Sequence, residues 1–103
     1  MKPVIIVSTF PDKTSITKIA NQLVKKKLAA CVNIMKISSV YSWKGKIENQ
    51  SEYLGLFKTT QKNQSVLKKE LRKLHPYDIP EIAEINVDSI NQAYLKWLVD
   101  STR

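Results

Sequence analysis

Between Ala30 and Thr60 the apolar residues recur at every second position, and one glycine-bearing tetrapeptide, Trp43-Lys44-Gly45-Lys46, interrupts the run. A helix cannot bury such a pattern, because its faces repeat every 3.6 residues while those of a strand repeat every two. The stretch therefore reads as two long strands, ACVNIMKISSVYSW and KIENQSEYLGLFKTT, both rich in Val, Ile, Tyr and Thr. Gly45 can take the positive φ of a tight turn, which makes the two strands one hairpin. Its arms exceed the usual strand length of ~5–6 residues.

The flanking segments fix what this hairpin packs against. PVIIVSTF (3–10) is a nearly continuous β-branched run, the pattern of a strand buried on both faces. Pro11 ends it, and Asp12 is placed to cap a helix whose apolar stripe is Ile16, Ile19, Ala20, Leu23, Val24 and Leu28. After the hairpin, Thr60 is expected to cap a second helix with Val66, Leu67, Leu71 and Leu74 on one face. His75-Pro76 ends that helix, since proline disfavours helical geometry at the residue before it. EIAEINVD (81–88) reads as a last strand, and Asp88 or Ser89 caps a final helix carrying Ile90, Ala93, Tyr94, Trp97 and Leu98. The order predicts one α+β domain over residues 1–103. It is a ferredoxin-like β-α-β-β-α-β sandwich with a long central hairpin, two helices on one face of an antiparallel sheet, and an extra C-terminal helix. The hairpin outreaches the helices while carrying Tyr41, Trp43, Tyr53, Leu54, Leu56 and Phe57, so self-association is expected.

Composition narrows the function classes. A net charge of +8 invites comparison with nucleic-acid binders, yet Arg72 and Arg103 are the only arginines. Guanidinium forks are the usual readers of guanine edges, so the lysine clusters read as solvated helix faces, with no specific nucleic-acid partner. No apolar run approaches the ~20 residues of a membrane span. The N-terminal apolar run has no small-residue cleavage site and is broken by Asp12 and Lys13, so it reads as a strand rather than a leader. A single cysteine cannot form an internal disulfide, and the cytoplasm is the expected compartment.

The candidate chemistry is sparse. Cys31 and His75 are the only thiol and imidazole side chains, too few for a structural zinc site. Cys31 lies in the apolar LAACVNI with no adjacent positive charge to lower a thiol pKa, which argues for packing rather than catalysis. With only Gly45 and Gly55 there is no glycine-rich phosphate cradle, and no enzyme activity is expected. His75 reads first as a helix terminator whose side chain meets unpaired carbonyls.

The motifs nevertheless form a pattern. Thr9-x-Pro11-Asp12, Leu28-Ala29-Ala30-Cys31-Val32-Asn33, Ser39-x-Tyr41-x-Trp43-x-Gly45-x-Ile47, Lys58-Thr59, His75-Pro76-Tyr77-x-x-Pro80-Glu81 and Tyr94-Leu95-x-Trp97 follow one another in that order. Together they resemble the CutA family, the divalent-cation tolerance proteins, nearly end to end. The resemblance implies a homotrimer of PII-like architecture with a role in tolerance of copper and other heavy metals. It makes His75 a copper-ligand candidate and Glu81 its oxygen partner. Leu74 and Ser8 stand where some bacterial members carry a further histidine and a cysteine, so the resemblance implies weak Cu²⁺ binding and no obligatory cofactor. Two other readings stay open: a PII-like signalling module binding a small ligand or partner protein at subunit clefts, and a trimeric scaffold or anchor without a small ligand.

Overall fold

The computed structural model describes residues 1–103 and has seven elements. They are β1 (Pro3–Phe10), α1 (Lys13–Lys25), β2 (Cys31–Trp43), β3 (Lys46–Thr60), α2 (Gln64–Leu74), β4 (Ala83–Asn86) and α3 (Gln92–Ser101). The four strands form one sheet in the order β2-β3-β1-β4, and every neighbouring pair is antiparallel. This is the split β-α-β arrangement expected from the order of elements.

Strand β3 carries the architecture, because it pairs with β2 on one edge and with β1 on the other. Ile6 lies opposite Phe57, which lies opposite Val32 in turn. Alternation then sorts the side chains by face. Val4, Ile6, Ser8 and Phe10 of β1 share a face with Tyr53, Gly55, Phe57 and Thr59 of β3. Ile16, Ile19 and Leu23 of α1 and Leu67 and Leu71 of α2 close over that face, forming one core with Ile6, Phe10, Ala29 and Phe57. Leu54, Leu56, Tyr41 and Trp43 fall on the other face. The six hairpin residues grouped together in the sequence therefore divide: Phe57 is core and Tyr53 packs against it, while Tyr41 and Trp43 are exposed.

Local chemistry explains the ends of the elements. The Asp12 carboxylate accepts the Ser15 N–H at 2.7 Å, the expected N-cap of α1. At its other end Lys27 adopts φ 61°, the Lys27 N–H bonds Val24 O and the Leu28 N–H bonds Leu23 O. That is a Schellman closure, with lysine where glycine is usual. Lys44 and Gly45, with φ of 49° and 78°, make the two-residue hairpin turn whose twist matches the strands.

Four expectations need correction. Thr60 does not cap α2; it is the last residue of β3, opposite Pro3, and the chain turns through Gln61 before Asn63 takes the cap position. The Gln61 N–H bonding Lys2 O prolongs the sheet past the point where the sequence places the helix. Val66 is 53% exposed and leaves the stripe to Leu67, Leu71 and the half-buried Leu74. Neither Asp88 nor Ser89 caps α3, which starts after Asn91 and buries Leu98 while Ala93 and Trp97 stay exposed. β4 is also shorter than the EIAEINVD run, because pairing with β1 spans only Val4–Val7.

Gly55 lies under the ring of its own strand neighbour two residues on. A Cβ built there would sit 2.7 Å from Phe57 Cε1 and 2.9 Å from Ile16 Cδ1. Gly55→Ala is expected to destabilise the fold by about 1–3 kcal/mol through overpacking. Urea denaturation checks this as a lowered midpoint at unchanged slope.

Candidate functional site

The segment after α2 folds back across the end of β1. His75 is the C-cap of α2, and its extended backbone starts the loop. Its ring does not turn to the helix carbonyls, as expected from sequence, but inward, where it stacks on Phe10 at 4.3 Å between centroids and 18° between planes. Only 8% of the residue is exposed. The helix end is left to Arg72 and Lys73, the basic residues of its last turn.

Both imidazole nitrogens are occupied. Nδ1 accepts the Tyr77 N–H at 3.2 Å, so the ring proton resides on Nε2. Nε2 lies 3.0 Å from Ser8 Oγ, and the Ser8 hydroxyl donates to the Glu81 carbonyl at 2.6 Å. The relay His75 to Ser8 to Glu81 thus uses each hydrogen once and ties both ends of the loop to β1. His75 and Glu81 are brought together, but through the Glu81 backbone; the Glu81 side chain is exposed. Cys31 pairs with Lys58, away from Ser8, which lies opposite Gly55. No group of three or more His, Cys, Asp or Glu side chains is close enough to hold a metal ion.

The loop also carries a tyrosine to the sheet's other face. The Tyr77 hydroxyl donates to Glu52 Oε2 at 2.6 Å, and Glu52 is itself only 8% exposed. Burial, then the Glu52 hydrogen bond and charge, hold the Tyr77 phenol protonated well above its ordinary range. Between this loop and the hairpin lies a cleft of about 650 Å³, walled by Tyr41, Trp43 and Tyr77 and by Glu52, Asp78 and Glu81. Glu52 and Tyr77 escaped the sequence reading of the site. The available signal was a carboxylate at position 52, directly before the apolar run Tyr53–Phe57.

The sequence model of the CutA1 divalent ion tolerance protein family matches residues 4–101. The divalent-cation tolerance protein CutA of Pyrococcus horikoshii is 41% identical over 100 residues, covering 97% of this chain and 98% of that protein. The crystal structure of the divalent ion tolerance protein CutA1 from Ehrlichia chaffeensis superposes with a TM-score of 0.96 at 33% identity, covering all of this chain and 98% of that one. A third structure, from Archaeoglobus fulgidus, is described as the periplasmic divalent cation tolerance protein CutA. It aligns with a TM-score of 0.94 at 33% identity over 98% of this chain and 99% of its own. In the present chain no helix is long and apolar enough to cross a membrane.

Burial pushes the His75 pKa below its ordinary 6.5, Arg72 adds to the depression, and a backbone hydrogen bond at Thr9 opposes it. A second ring proton would also set Nδ1–H against the Tyr77 N–H. The unfolded chain therefore takes up the proton first, and stability is full above about pH 6.5. It falls as pH drops from there through the lower folded pKa. Urea midpoints at about pH 7.5 and about pH 5.5 should show this loss in the wild type, and His75→Gln should remove the His75 share of it.

Proposed function

The chain belongs to the CutA1 divalent ion tolerance protein family, and from that membership we propose that it acts in the response to divalent heavy-metal ions, as a cytoplasmic homotrimer without catalytic activity. The observation that carries the metal part of this reading is the double engagement of His75. An ion reaches an imidazole lone pair only by displacing the Tyr77 N–H from Nδ1, or Ser8 after a tautomer change. Glu81 then offers an exposed carboxylate in the same loop. Such a pair suits weak, reversible binding that matters when ions are abundant, and imidazole with oxygen donors favours Cu²⁺ over the other divalent ions. Calorimetric titration with Cu²⁺ should give weak binding that is lost in His75→Gln; equal affinities would remove His75 from the site.

The trimer is supported by the surface of the hairpin. Val40 and Ile47 are each 70% exposed on one face of the hairpin, and β2 has a free outer edge along its whole length. Apolar area and an unpaired edge of this extent are ordinarily covered by another chain. Light scattering after size exclusion should give three times the 11.8 kDa chain mass. Leu56→Glu, on the face away from α1 and α2, should reduce assembly and folding together. A folded species at the mass of one chain, stable on dilution, would sink the trimer.

A second reading, a PII-like module that responds to a small ligand, is favoured by the cleft beside the hairpin. Its volume of about 650 Å³ falls within the ~300–1,000 Å³ of ordinary ligand sites.

A further inference from the structure

We propose that the cleft between the hairpin and the 75–81 loop binds a small organic cation, an amine or quaternary ammonium. The inference rests on the second reading, that this cleft takes a small ligand, and supplies the ligand's chemistry. Three lines lead to it.

The first is charge. The chain has 17 basic and 9 acidic side chains, yet three of the acids, Glu52, Asp78 and Glu81, line this one cleft and no lysine or arginine does. None of the three takes part in an ion pair; the lysine partners go to Glu70, Glu84 and Asp100. The second is Glu52 itself. It is more than nine-tenths buried, it spends one oxygen on Tyr77, and its other oxygen has no protein partner and is open to the cleft's solvent. A buried carboxylate without a counter-charge is costly, and a bound cation relieves that cost. The third is the wall. Tyr41, Trp43 and Tyr77 offer the ring faces that attract alkylammonium groups, and Trp43 already carries the Lys44 ammonium 5.7 Å from its ring centre.

Other occupants fit less well. An anion meets three carboxylates. A neutral apolar ligand strips water from Glu52 and returns nothing. A bare divalent ion finds no group of three His, Cys, Asp or Glu side chains close enough to hold it. An organic cation satisfies ring faces and carboxylates together.

The test uses the full chain in its native assembly, with Trp97→Phe so that Trp43 is the only indole reporter. Tetramethylammonium is titrated at constant ionic strength against its uncharged near-isostere tert-butanol and against Mg²⁺. Saturable quenching by tetramethylammonium alone is expected, weakened roughly tenfold by Glu52→Gln. Tyr77 can still donate to the amide, so that variant keeps the loop in place. Because Trp43→Leu removes the reporter, its loss of binding is read by calorimetry. If tert-butanol binds as well, or Glu52→Gln leaves the affinity unchanged, the organic-cation proposal is overturned while the small-ligand reading stands. Tighter Mg²⁺ binding overturns it in favour of a metal site. If no probe binds, the proposal and the second reading fail together.

Discussion

Phe10 ends β1 with its ring packed against two others, His75 stacked at 4.3 Å and Phe57 tilted at 6.1 Å. Sheet, helix layer and the loop after α2 meet at this point. Such ring pairs contribute about 0.5–1.5 kcal/mol each beyond the area they bury, but their positional effect is larger here. With the imidazole plane set by Phe10, Nε2 faces Ser8 and Nδ1 faces the Tyr77 N–H. Tyr77 is then aimed so that its hydroxyl reaches Glu52 across the sheet edge. One wall of the cleft is thus positioned by a contact made in the core.

Charge is distributed to match. Lys26–Glu70 joins the C-cap of α1 to α2, and Lys68–Glu84 joins α2 to β4. Exposed pairs of this kind contribute ~0–1 kcal/mol, so they trim the surface more than they hold the fold. Three of the acids left without basic partners, Glu52, Asp78 and Glu81, gather beside the hairpin, where the chain's positive excess is locally reversed.

What the sequence disclosed follows the range of the interactions involved. β1, α1 and the hairpin could be read because their periods, cap and turn lie within a few residues of one another. The small α+β fold, with four antiparallel strands and three helices, follows from that order and matches the CutA1 structures. The start of α2 is not legible locally, because Thr60 stays in the ladder opposite Pro3, a partner far away in sequence. His75 was recognised as the end of a helix, but its inward turn depends on Phe10 and Ser8, which no local pattern links to it. Glu52 and Tyr77 were missed for the same reason: each is ordinary in its own segment, and only the fold sets them 2.6 Å apart.

The hairpin's tight turn also bears on the order in which the chain assembles. Once Lys44 and Gly45 have turned, Trp43 meets Lys46, and each further rung out to Cys31 with Lys58 adds pairing without closing a new loop. Hairpins of this kind form within microseconds, well before distant segments find each other. β1 must instead reach β3 across the whole of α1 and β2, at a much larger cost in chain entropy. The ribbon is therefore a template: β3 is laid out first, with Phe57 and Gly55 already on one side, and Ile6 and Ser8 dock onto a register set by a turn they never touch.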